Sequence, residues 1–176
     1  VYSPHKYWSF NDQASIQWVL DIREEHNVPL YLGESGENSN VWFRNAIKLF
    51  EDNNIGWAWW PMKKIETVSG PLAIYKPEGY EALLNYWKGD GPSPGPTMAK
   101  TTLMDLAENA KIGVTRFQKD VIDAMFRQVT SDETKAYKEH VLPGVVHATD
   151  YDMGVIGSAY HDTEFANFQV TTGNYT

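Results

Sequence analysis

Val28-Pro29-Leu30-Tyr31-Leu32-Gly33-Glu34-Ser35-Gly36-Glu37 carries an apolar run straight into a carboxylate flanked by glycines. An apolar run of this length, bounded by turn formers, reads as a strand buried on both faces, as in a parallel sheet. Glu34 then leaves the strand at its C-terminal end, where glycine allows a sharp turn and the close approach of a ligand. In barrel enzymes catalytic groups sit at that end. Taken alone, a Gly-Glu pair more often starts a helix, where carboxylates favour the positive end of the dipole. The reading of Glu34 therefore depends on what the flanking segments bring beside it.

Outward from this stretch, strands and helices alternate. Tyr2 to Trp8 reads as a strand, and Asn11 or Asp12 caps a helix through about His26, with Ile16, Val19, Leu20 and Ile22 on an apolar face. After the Val28 to Gly33 strand, Asn38 or Ser39 opens a helix to about Asp52, with Val41, Trp42, Ala46, Leu49 and Phe50 spaced for one buried side. Ile55 to Pro61 is a third strand, and a loop through Pro77 leads to a short helix, Glu78 to Trp87. This alternation implies a parallel sheet, although three such units cannot close a barrel that needs eight.

Gly89 to Pro96 is too rich in proline and glycine for helix or sheet and reads as a linker, 89–97. A helical segment, 98–140, follows, with amphipathic helices expected at Met98 to Lys111 and Arg116 to Gln128. From about Val141 to Thr176, short alternating segments with Gly, Asp and Thr suggest antiparallel β structure.

Composition narrows the function classes. With 176 residues of which 42% are hydrophobic, the chain can bury a real core. A formal charge of -8 and a pI near 5.0 leave no basic footprint for nucleic acid and disfavour anionic membranes. No apolar run approaches the roughly 18 residues of a membrane span, and no signal peptide is visible at the amino terminus. The absence of cysteine excludes disulfides, thiolate metal sites and cysteine nucleophiles. The five histidines lack metal-ligand spacing, so neither a metal nor another cofactor is expected. Seven Trp and ten Tyr supply flat faces that suit sugar rings, though large aromatics serve cores as well.

Three strand-end motifs converge: His5-Lys6-Tyr7, Gly33-Glu34, and Trp57-Ala58-Trp59-Trp60-Pro61-Met62-Lys63-Lys64. In that order they resemble glycoside hydrolase family 5, a retaining β-glycanase family of (β/α)8 barrels, and specifically its cellulase-like members. The matching pieces are the H-x-Y of the sixth barrel strand, the P-L-x-x-G-E-x-G of the seventh and the G-W-x-x-W-x-x-K of the eighth, over roughly residues 1–88. The resemblance implies that Glu34 is the nucleophile, that Tyr7 hydrogen-bonds and orients it, and that His5 contacts substrate or the second carboxylate. It further implies a sugar platform at Trp60 with Trp59 beside it in the substrate-binding set, and a hydrogen bond from Lys63 or Lys64 to a sugar hydroxyl. The residue types suit the chemistry: an attacking carboxylate must stay ionised, and a phenol and an imidazole donating to it favour the charged form.

The family's acid/base carboxylate lies in an Asn-Glu-Pro motif after the fourth strand, and this chain contains no Asn-Glu-Pro. Glu37 is a poor substitute, three residues beyond Glu34 and on the way into a helix. The expected fold is therefore α/β, the C-terminal part of a (β/α)8 barrel (strands 6 to 8), followed by the helical segment and a partial antiparallel β region.

In the tail, His147-Ala148-Thr149-Asp150-Tyr151-Asp152-Met153-Gly154 and Ala159-Tyr160-His161-Asp162-Thr163 are similar to the opening of β-sandwich carbohydrate-binding modules of the family 6 type. Such modules are longer than 141–176, so the sandwich is expected to be incomplete. Asp150, Asp152, Asp162 and Glu164 read first as acidic turn residues and second as a calcium site. Asn174-Tyr175-Thr176 matches a glycosylation sequon.

The function expected from these readings is that of the C-terminal portion of a retaining endo-β-1,4-glucanase, secreted or periplasmic or on the cell surface, with a β-glucan or related polysaccharide as partner. The alternatives are a binding protein that keeps the aromatic cleft without chemistry, and a fragment that completes a barrel with a companion chain carrying the N-terminal half.

Overall fold

The computed structural model of the protein describes residues 1–163. Glu164 and the sequon at Asn174 to Thr176 lie outside the described residues. The chain divides into two compact units, one built from Val1–Pro61 and the residues from Lys119 on, the other from Met62–Gln118.

In the first unit, β1 (His5–Lys6) pairs in parallel with β3 (Glu34–Ser35), and β2 (Tyr31–Leu32) pairs in parallel with β4 (Gly56–Trp57). Isolated parallel bridges at Tyr2 to Leu30 and Gly36 to Trp60 extend both pairings. Backbone hydrogen bonds from Tyr31 N to Tyr2 O (3.0 Å), Gly33 N to Pro4 O (3.0 Å) and Trp60 N to Ser35 O (2.7 Å) carry the pairing between the named strands. Three parallel segments thus lie side by side in chain order, as the alternating pattern leads one to expect.

The helices between them start where the sequence caps them. α1 (Gln13–His26) begins at Asp12, whose carboxylate accepts from Ser15 N at 2.9 Å, and ends at Asn27 in a left-handed conformation. α2 (Asn40–Asp52) begins at Ser39, whose hydroxyl accepts from Trp42 N. α2 buries Trp42, Phe43, Ala46, Ile47 and Phe50 completely, against Ile16, Val19 and Leu20 of α1 and Leu30, Leu32 and Ile55 of the strand segments. Truncating one of its large aromatics to Ala would cost about 3–5 kcal/mol.

The second unit holds a small mixed sheet. β5 (Lys63–Ile65) pairs in parallel with β6 (Leu72–Ile74), and β7 (Arg116–Phe117) runs antiparallel to β6. α3 (Tyr80–Lys88) and α4 (Pro96–Asn109) pack on each other, with the Thr102 hydroxyl donating to Glu78 O at 3.0 Å. The Pro/Gly run at 89–97 therefore joins two helices of one unit. The expected helix over Arg116 to Gln128 begins later: Arg116 and Phe117 are extended, because they complete the sheet edge against Ala73 and Leu72, and the Gln118 amide donates to Thr67 O and Gly70 O.

Back in the first unit, α5 (Lys119–Met125) and α6 (Arg127–Thr130) pack on α2. Val121, Met125 and Val129 enter its core, and Arg44 donates to Gln128 O (2.8 Å) and pairs with Asp132 (2.7 Å). The helix expected at Glu78 to Trp87 forms as α3 and belongs to the other unit. From 141 to 163 the described residues form no strand, only an antiparallel bridge between Lys135 and Met153 and a parallel one between Ile156 and Tyr160. Val141, Leu142, Val145 and Val146 are exposed, so no buried face forms there to hold strands in register. No helix among the described residues is long and apolar enough to cross a membrane.

Candidate active site

Register places the site. His5 stands opposite Glu34, and Gly36 opposite Trp60, so the ends of the three parallel segments gather the motif residues on neighbouring strands. Residues two apart on a strand share a face. His5 and Tyr7 accordingly both reach the Glu34 carboxylate: the Tyr7 hydroxyl donates to Oε2 at 3.3 Å, and His5 Nδ1 lies 3.5 Å from the same oxygen. The Glu34 side chain is 40% exposed, which leaves it open to an incoming group.

Backbone geometry explains the glycines. A Cβ at Gly36, where φ is +133°, would sit 2.2 Å from the Trp60 carbonyl oxygen, and one at Gly33 would sit 2.5 Å from Ser3 Oγ and 3.5 Å from His5 Nε2. The strand can approach its neighbours this closely only without side chains there. Beyond Gly36 the chain turns away through Glu37 at φ 51°, and Trp8 on the facing loop also has φ 51°. The two turns are joined by the Trp8 indole, which donates to Glu37 O at 2.9 Å.

Electrostatics keep the phenol a donor. Burial raises the Tyr7 pKa most, and the charge and hydrogen bond of Glu34 and the charge of Glu37 raise it further. Tyr7 is thus protonated throughout the physiological range and can only donate to the carboxylate.

The aromatic run divides by role. Trp59 packs edge-on against Phe43 (centroids 5.0 Å apart) and Trp57 (5.7 Å) and leans on the core, whereas Trp60 is 52% exposed. Lys63 and Lys64 lie on β5 in the second unit, where the Lys63 ammonium donates to Ala110 O at 2.6 Å. In the tail, Asp150 pairs with Lys138 at 2.5 Å. Among the described residues no group of three or more His, Asp or Glu is placed to hold a metal ion.

One residue of this region escaped the sequence reading. Lys6, between His5 and Tyr7, is buried and hydrogen-bonded to the loop that follows. The signal was available in strand alternation, which turns Lys6 away from the face that His5 and Tyr7 share.

Neither family models, nor curated proteins, nor solved structures give a match to this chain.

Proposed function

We propose that the first unit carries the nucleophile side of a retaining glycoside hydrolase. More particularly, we propose the C-terminal portion, barrel strands 6 to 8, of an endo-β-1,4-glucanase acting on β-glucan or a related polysaccharide. The observation that supports this most directly is the Glu34 carboxylate at a parallel strand end, with the Tyr7 hydroxyl and His5 imidazole both on its Oε2.

In this reading Glu34 attacks the anomeric carbon of the bound sugar and forms the glycosyl-enzyme, which water then hydrolyses. Tyr7 donates to Glu34 and holds its unbound lone pairs toward the sugar. Exposed Trp60 offers a flat face to the pyranose ring. The leaving oxygen needs a proton from a second carboxylate roughly 5–5.5 Å from the first. With no Asn-Glu-Pro in the chain, that group comes from the N-terminal barrel half, in the same full-length protein or a companion chain. A polymeric substrate places the protein outside the cell, in the periplasm or at the cell surface.

The missing acid motif also favours a second reading, a carbohydrate-binding protein that keeps the Trp60 platform without turnover. One experiment separates the two. A cellobioside with fluorine at C2 and a dinitrophenolate leaving group needs no acid to react, so it traps the glycosyl-enzyme. Mass spectrometry of the full-length protein should find the label on the peptide containing Glu34. Binding of cello-oligosaccharides without any labelling favours the binder, and a label on another residue refutes the assignment.

A further inference from the structure

We propose that Lys6 is a positioning residue for the Tyr7 and Glu34 pair: its buried ammonium gathers residues 9–11 around itself and so sets the path of the chain that carries the phenol. The inference rests on the catalytic reading of Glu34. Lys6 is 8% exposed, yet its ammonium is fully provided for. It donates to Ser9 Oγ at 2.7 Å, Phe10 O at 2.9 Å and Asn11 Oδ1 at 2.9 Å, with Ser9 O farther off at 3.4 Å. An ammonium has three protons to give, and three close acceptors meet them.

Those acceptors lie three, four and five residues down the chain. Lys6 is anchored in β1, where its carbonyl accepts from the buried Ser35 hydroxyl at 2.8 Å. Tyr7 and Trp8 are therefore the two residues between a fixed strand and a loop wrapped on that strand's own side chain. Trp8 takes a left-handed φ of 51°, which a bulky residue adopts only when its surroundings impose it. The wrapped loop is tied to α2 as well: the Trp42 indole donates to Ser9 O at 2.9 Å, and the Asn11 amide donates to Trp42 O at 3.1 Å. The Lys6 ammonium lies 5.1 Å from the centre of the Trp42 ring.

A side chain whose task was only to cover Trp42 would be apolar, since burying an ammonium is costly unless its protons are all bonded. Burial draws Lys6 down to about 8 while the charge of Asp12 opposes the fall, so the group keeps all three protons at neutral pH. The ammonium is what turns the Phe10 carbonyl and the Ser9 and Asn11 side chains inward, and the phenol follows from that turn.

The test is a double-mutant cycle in the full-length protein, read on a soluble cello-oligosaccharide. Lys6→Met keeps the stem over Trp42 and removes the donors. It should lower kcat about five- to tenfold with little change in KM, matching Tyr7→Phe, and the double mutant should fall no lower than the weaker single mutant. A merely structural Lys6 has no reason to lose its effect when the Tyr7 hydroxyl is gone. If the two losses multiply, or if folded Lys6→Met keeps wild-type kcat while Glu34→Gln is inactive, the proposal is overturned and the Glu34 reading stands. If Lys6→Met does not fold, Ser9→Ala removes one acceptor alone. Its smaller loss in kcat should vanish in the Tyr7→Phe background, and a loss that persists there overturns the proposal. Wild-type turnover in Glu34→Gln removes the site reading and this inference with it.

Discussion

Tyr7→Phe removes one hydrogen bond and little else, because the ring and its packing stay. Hydrogen bonds to charged groups are worth about 1.5–3 kcal/mol when buried and well formed. The bond from Tyr7 is long, at 3.3 Å, and its acceptor is 40% exposed, so the low end applies, about 1–1.5 kcal/mol. If that bond orients Glu34 for attack, kcat of the full-length enzyme on a soluble β-1,4-glucan falls about five- to tenfold. On the proposed reading Glu34→Gln takes away the nucleophile, and loss of a covalent catalyst costs several powers of ten. The two variants should therefore differ by orders of magnitude in a reducing-sugar assay, with both folded by circular dichroism. A Tyr7→Phe enzyme within about twofold of wild type would refute the orienting role. One as dead as Glu34→Gln would mean that Tyr7 does chemistry the geometry does not give it.

Other outcomes follow from the same structure. Trp60→Ala should weaken cello-oligosaccharide binding by calorimetry with a small change in melting temperature, because the ring is 52% exposed, whereas fully buried Trp42→Ala should cost about 3–5 kcal/mol of stability; a sharp drop in melting temperature with unchanged affinity for Trp60→Ala would mark that ring as core. Burial works to raise the Asp123 carboxyl, but hydrogen bonds from Arg127 and Gln128 and the Arg127 charge prevail and hold it below its usual value. Its stabilising contribution is therefore present above the unfolded carboxyl pKa of about 3.9 and lost as pH falls through the lower folded value. Urea unfolding between about pH 5 and 3 should show Asp123→Asn losing less stability on acidification than wild type, and parallel curves would contradict this. Light scattering should find the 176-residue chain self-associated or bound to a companion, because open sheet edges seek partners; a folded monomer that hydrolyses a soluble cellulose derivative by itself would refute both the missing-acid argument and the fragment reading.

What the sequence determined by itself was local. Asp12 and Ser39 cap α1 and α2 because a side-chain oxygen three residues before an unpaired N–H is a contact within one turn. The period of Ile16, Val19 and Leu20, and of Trp42, Ala46 and Phe50, settles which helix faces are buried. The order of strand-like segments was enough to expect His5-Lys6-Tyr7 and Glu34 at neighbouring parallel strand ends, and His5 stands opposite Glu34. The tertiary structure alone decided the rest, because it depends on partners far along the chain. Arg116 and Phe117 have no local reason to be extended; the free edge of Leu72 and Ala73 makes them so. The adjacent Trp59 and Trp60 are alike as letters, and only the packing of Phe43 and Trp57 turns one toward the core and leaves the other exposed. The sequence reads Met62 to Gln118 as a loop, a short helix, a linker and the start of a helical segment, yet these residues form a compact unit of their own, and it is α5, from beyond them, that packs on α2. Caps and periodicity are energies of a single turn, whereas strand partners and unit boundaries are chosen by the apolar surface that the whole folded chain can bury together.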